Sequence, residues 1–166
     1  MPIASDIILT KLNSQFGDGI VSHEEQYNML IITAKSHINV EILKYLYHED
    51  ELKFQFLTDL TGVHYPESLL PFCVVYHLHS LTTNTRLRLK FFVPLENPEI
   101  ETMTSLYASA NWMERETYDF FGIIFKNHPN LRRILNVDDM QVHPMRKEYP
   151  LEDPNRVDKK DHFFGR

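Results

Sequence analysis

The run "PFCVVYHLHSLTTNTRLRLKFF", residues 71–92, alternates apolar and polar side chains with a period of two on both sides of a turn-forming "LTTNT". Phe72, Val74, Tyr76 and Leu78 fall on one face and Cys73, Val75, His77 and His79 on the other. Beyond the turn, Leu87, Leu89 and Phe91 oppose Arg86, Arg88 and Lys90. Such a period predicts a β-hairpin with one polar face. A further strand precedes it: Phe54 and Phe56 alternate with Lys53 and Gln55, until "TDLTGVHYP" breaks the run with Gly62 and Pro66.

Helical periods flank these strands. "SDIILTKLNSQFGDG" opens with Ser5 or Asp6 as a candidate cap, spaces Ile8, Leu12 and Phe16 four apart and stops at Gly17. "IVSH" and "YNMLIIT" flank the polar "EEQ" and suit a short hairpin. Ser36 then caps a run in which Ile38, Ile42, Tyr45 and Leu46 form a stripe. In "ENPEIETMTSLY", Asn97 as cap and Pro98 at the first position predict a helix, with Ile100, Met103, Leu106 and Tyr107 turned inward. Asn111 and Glu114 make a capping box for a last helix that ends at Gly122.

The predicted order is α-β-β-α-β-β-β-α-α, an α+β body over residues 1–122 with a mixed or antiparallel sheet. Past it, four of the nine prolines (129, 144, 150 and 154) crowd into a segment without a period. Residues 123–166 therefore read as an extended irregular arm that buries spaced anchors, among them Leu131, Ile134, Leu135, Leu151, Phe163 and Phe164, on a partner.

Composition narrows the chemistry. The 166 residues suit one domain, and the longest apolar runs are far below the roughly 20 residues needed to cross a bilayer. The chain is expected to be cytosolic, or held at a membrane only through partners. A single cysteine, Cys73, excludes an internal disulfide and a four-thiolate iron–sulfur cluster built from this chain alone. A net charge of −6 argues against a phosphate backbone as partner. Residues 1–122 carry 8 basic and 16 acidic side chains and residues 123–166 carry 9 and 7, so the body is acidic and the arm slightly basic.

The densest chemistry lies in "NWMERETYDFFGIIFKNHPNLRRIL", residues 111–135. On a helix, Ala110, Met113, Thr117, Phe120 and Phe121 share the core face, and Arg115 and Asp119 lie opposite as an i,i+4 pair. A solvated face is the plain reading of Glu114, Arg115, Glu116 and Asp119. Trp112, Tyr118 and Phe125 among those charges, and "HPNLRR" directly after, favour a protein interface. Glu114 and Glu116 diverge by about 200° on a helix, so they cannot act together on one substrate. His128, His143 and His162 are too widely spaced for a local zinc motif. His77 and His79, which face the same way on a strand, are the better metal pair, and a metal-dependent hydrolase using them with carboxylates of 114–119 is the enzymatic alternative. Gly17-Asp18-Gly19 follows a helix and reads as a turn, not as a dinucleotide fingerprint. Cys73 reads as a small buried hydrophobe.

The pattern Glu-Arg-Glu-x-Tyr-Asp-x-Phe-Gly-Ile followed by His-Pro-x-Leu-Arg-Arg-Ile-Leu resembles the signature of the 30-kilodalton subunit family of proton-pumping NADH:quinone oxidoreductase, respiratory complex I. It falls on Glu114, Arg115, Glu116, Tyr118, Asp119, Phe121, Gly122, Ile123, His128, Pro129, Leu131, Arg132, Arg133, Ile134 and Leu135, and "PMRKEYPLE", with Arg146, extends it. The resemblance implies a cofactor-free component of the hydrophilic arm, supporting electron transport from NADH to quinone coupled to proton translocation. Its implied partners are the large quinone-site subunit and the iron–sulfur subunits. Flavin, clusters and quinone would sit in those partners, and the complex would lie on the cytoplasmic face of the cell membrane. No catalytic residue carries over. Glu114, Arg115, Glu116, Tyr118, Asp119, Phe121, Gly122, His128, Pro129, Arg132, Arg133 and Arg146 carry over as candidates for folding and docking. Related subunits of membrane-bound hydrogenases and of complexes fed by other donors share this resemblance.

Overall fold

The computed structural model describes residues 3–149. Helix α1 (Ser5–Phe16) leads through a short 3-10 turn to β1 (Ile20–Gln26) and β2 (Met29–Lys35). A second 3-10 turn precedes α2 (Asn39–His48), after which β3 (Phe56–His64), β4 (Phe72–Ser80) and β5 (Thr85–Val93) form a meander. The short β6 (Glu99–Glu101), α3 (Ala110–Phe121) and the short β7 (Ile124–Lys126) complete the order. Five strands make one sheet in the order β1-β2-β5-β4-β3, and β6 pairs with β7 in a second. The large sheet is mixed: β2 runs parallel to β5 while the other pairs are antiparallel.

Register follows the alternation. Val74 pairs with Phe91, Tyr76 with Leu89 and Leu78 with Leu87, and on the parallel side Leu30, Ile32 and Ala34 meet Leu87, Leu89 and Phe91. These apolar rows join Ile8 and Leu12 of α1, Ile42, Leu43 and Leu46 of α2, and Ala110 and Phe121 of α3 in one buried core. Each large apolar side chain contributes roughly 1.5–3 kcal/mol on leaving water, which makes this face the main stabiliser of the fold. On the opposite face His77 pairs with Arg88 and His79 with Arg86, as the alternation requires.

Four local expectations are corrected. The first hairpin turns at Tyr27 and Asn28, whose positive φ of 52° and 58° suit a two-residue turn, and "EEQ" belongs to β1. β1 is a sheet edge exposed along nearly its whole length, so polar residues do not interrupt it. β3 begins at Phe56 and continues through Gly62, with Phe54 fully buried before it. Gly62 marks close packing: a Cβ there would lie 2.6 Å from the Phe121 ring and 3.1 Å from Thr117.

The helix expected at Asn97–Tyr107 is instead β6 and a series of turns. Ile100 pairs with Phe125 of β7, Ile124 donates to the Pro98 carbonyl and Thr102 donates to that of Lys126. This pairing outweighs the local helix-start signal because it buries both Ile100 and Phe125. Finally, α3 has no side-chain cap, and Glu114 does not serve in a capping box. Its carboxylate reaches Thr102 and Met103 instead. Ser5, Asp6 and Ser36 likewise provide no side-chain cap for their helices or turns.

Candidate docking site

Helix α3 ends where the sequence places its stop, at Gly122 with φ 73°, whose N–H donates to Tyr118 O at 2.8 Å. The chain then folds back along the helix, and residues 123–149 of the expected arm lie against the body. The anchors Leu151, Phe163 and Phe164 lie outside the described residues.

The acids and bases of α3 are not a solvated face. Glu114, Arg115 and Asp119 are buried, and of the four charged residues only Glu116 is open to solvent. Arg115 and Asp119 are not paired with each other. Arg115 donates through Nε to Arg132 O (3.2 Å) and through Nη2 to Arg133 O (3.3 Å), with its guanidinium 4.9 Å from the Trp112 ring centre.

Asp119 sits in a cradle of donors. Its Oδ2 accepts the successive backbone N–H groups of Ile134 (3.1 Å), Leu135 (2.8 Å) and Asn136 (3.0 Å). Oδ1 accepts the Asn136 side-chain amide at 3.0 Å and Arg133 Nη1 at 2.8 Å. Burial alone would raise this carboxyl's pKa, but the Asn136, Leu135 and Arg133 donors outweigh it and hold the group well below the usual carboxylate range. Arg133 is in turn fixed by the carbonyls of Asp119, Met140 and Val142. Both of its Nη groups are thus engaged within the chain.

Glu114 has the opposite environment. Burial pushes its carboxyl up to about 7, against the Thr102 hydroxyl and the Met103 N–H that favour its ionised form. His128 closes the pocket, with Nε2 3.2 Å from Asn111 O and 4.0 Å from Glu114, while Nδ1 accepts the Asn130 N–H. That pattern places the proton on Nε2 of a neutral ring, in keeping with a pKa lowered by burial.

The remaining signature residues are mixed. Phe121 is buried over Gly62, and Tyr118 meets the His143 ring edge-on at 5.9 Å. Arg146 donates Nε to Phe121 O at 2.7 Å and lies 4.8 Å above the Phe72 ring centre. Pro129 and Arg132 are exposed, as is Trp112 at 62%.

Asn136, His143, which contacts Asp119 O, and His64, which accepts the Lys147 N–H, are site residues that no local sequence pattern selects. Their partners are far along the chain, and only the position of "RRILN" after an acidic helix hints at Asn136. The enzymatic alternative finds no assembled site. His77 accepts from Arg88 Nε at 2.7 Å, His79 contacts Asn84, and among the described residues no group of three or more His, Cys, Asp or Glu could hold a metal ion.

The family model for the respiratory-chain NADH dehydrogenase 30-kilodalton subunit matches residues 32–155. The chain belongs to this family. It is therefore a subunit of an NADH:quinone oxidoreductase complex. The corresponding NADH-quinone oxidoreductase subunit of Citrifermentans bemidjiense is 43% identical over 148 residues, 89% of this chain and 91% of that one. Its counterpart in Geobacter metallireducens is 41% identical, covering 88% and 90%. Among solved structures, a trypsin-resistant fragment (1–134) of Nqo5 is similar at a TM-score of 0.65 with 31% identity, covering 76% of this chain and 98% of that chain. A chain of the membrane-bound sulfane sulfur reductase, an archaeal respiratory membrane complex, shares the fold at a TM-score of 0.73 with 19% identity, covering 88% and 85%. The family model spans the large sheet from the middle of β2 onward and the Asp119 cradle, so the clasp around α3 is part of the matched region.

Proposed function

We propose that the chain is a cofactor-free structural component of the hydrophilic arm, on the cytoplasmic face of the membrane, docked on the large quinone-site subunit and the neighbouring iron–sulfur subunits. The observation that carries this reading is the use made of the signature charges. Glu114, Asp119, Arg115 and Arg133 bind this chain's own backbone and one another's neighbours, so they hold a surface in shape and do not converge on a substrate. Glu116 and Arg132 remain exposed at the edge of that clasp, beside Trp112 and Pro129. Aromatic and arginine side chains on a rigid frame are typical interface anchors. Flavin, iron and quinone belong to the partners in this reading, and among the described residues no helix is long and apolar enough to cross a membrane.

The test is recovery of the tagged full chain from mildly solubilised native membranes, followed by mass spectrometry and by iron and flavin analysis before and after the chain is stripped away. Recovery with a quinone-site subunit and iron–sulfur proteins, with iron and flavin staying on them, is the expected result. Stoichiometric iron or flavin on the stripped chain would overturn the cofactor-free assignment.

A further inference from the structure

Among the eight Lys and Arg of residues 1–122, three stand at alternate positions of β5: Arg86, Arg88 and Lys90. By register they share the sheet face that carries His77 and His79, opposite the apolar rows of the core. Lys35 on β2, paired with Phe92, belongs to the same face. The body has 16 acids, yet among the described residues register places only Asp59 and Glu24 here. Glu24 already has a partner, 3.2 Å from Lys90, while Asp59 stands in the same cleft as Arg86 and Arg88, 3.7 Å from the His77 ring. Arg86 and Arg88 form no ion pair among the described residues. Four of the body's eight cations thus stand on one face, and two guanidinium groups among them have no carboxylate of the described residues within ion-pair distance.

The same face is well packed at its centre. Ile31, Cys73 and Val75 are buried, yet they stand outside the cluster that contains the helices. Arg88 Nε donates to His77 Nε2 at 2.7 Å, which requires that nitrogen to be an unprotonated acceptor and fixes the guanidinium across the strands. A cleft of about 340 Å³ opens between Met29, Thr58, Asp59, His77, Arg86 and Arg88. Planar guanidinium groups in a concave site, with Arg88 held by His77, suit carboxylates, whose two oxygens match the guanidinium fork. The chain's own residues 150–166 carry four acids and four bases and so offer no net complement.

We propose that this outer sheet face is a second docking surface, occupied by a carboxylate-rich segment of a neighbouring subunit that places its acids on Arg86 and Arg88. This inference rests on the subunit reading above. It is distinct from the α3 clasp, which lies on the other side of β3 through Gly62 and Phe121.

Arg86→Lys keeps the charge and introduces an amine that a carbodiimide can couple directly to a touching carboxylate. The complex is purified through the full chain carrying this variant, treated with carbodiimide and mapped by mass spectrometry. A link from position 86 to an Asp or Glu of another subunit is expected. Arg86→Glu should lower retention of the chain in the complex at least about tenfold in about 0.3 M salt, and reversing the linked acid should restore it. Arg86 is exposed, so the variant's thermal midpoint reports that the fold is intact. A link only to the chain's own acids, or none while the partners co-purify, overturns the second surface and leaves the subunit reading standing. Failure of the unmodified chain to co-purify with any redox subunit overturns both.

Discussion

Asp119 and Glu114 are carboxylates on one helix, both fully buried, and their surroundings push them in opposite directions. Asp119 meets five donors, so its depressed pKa contributes stability that is present above the unfolded value of about 3.9 and is lost as pH falls through the folded one. Asp119→Ala leaves the largely buried Arg133 side chain without its carboxylate and should cost roughly 3–5 kcal/mol in urea unfolding. Asp119→Asn, which turns an acceptor into a donor against three N–H groups, should cost about 2–3 kcal/mol, with faster amide exchange at Ile134–Asn136. Glu114 works the other way. Its folded pKa near 7 exceeds the unfolded one, so the folded state holds the proton longer and stability falls as pH rises from about 4.5 to 7. His64, His77, His128 and His143 have lowered pKa values, chiefly through burial, and contribute a loss as pH falls below about 6.5. Glu114→Gln isolates the first effect: relative to the parent, the variant should gain roughly 2–3 kcal/mol between pH 5 and pH 8. An unchanged difference between these two pH values would show that Glu114 titrates normally. None of these environments is legible locally, because Asp119's donors come from residues beyond the helix and Glu114's from the turn before it.

At the scale of elements, the sequence is most informative where a period and a stop coincide. α1, α2, β4, β5 and the end of α3 at Gly122 follow directly from spacing and capping glycines. β6 is hidden, because its three residues are held by β7 across the whole of α3 and no local pattern announces a parallel partner. Gly62 imitates a break, since a glycine needed for close approach looks the same in sequence as one needed for a turn. The two glycines around the clasp should therefore fail differently. Gly62→Ala forces a Cβ against the Phe121 ring and should cost about 1–3 kcal/mol while loosening α3 from β3. Gly122→Ala combines φ 73° with contacts of 2.5 Å and 2.6 Å to Arg146 and His143. It should cost a similar amount, roughly 1–3 kcal/mol, but release residues 143–149 first. Hydrogen exchange distinguishes them: β3 should lose protection in the first variant and keep it in the second.

For the molecule as a whole, an acidic α+β body holds residues 123–149 against itself through buried charges and presents two surfaces, the Trp112–Arg132 edge of the clasp and the arginine face of the sheet. The family is readable from residues 114–135 alone, whereas the destination of their charges is not, since burial depends on the returning chain. A subunit that shapes and holds its neighbours should affect assembly of the complex and not its turnover. Trp112→Ala, Glu116→Lys and Arg132→Glu change exposed side chains and should leave the fold intact. Each variant's assembled complex is quantified on native gels, and NADH:quinone turnover is measured per assembled complex. Assembly should fall while turnover per complex stays within about twofold of the parent; full assembly with turnover lost would mean that the chain takes part in the chemistry itself.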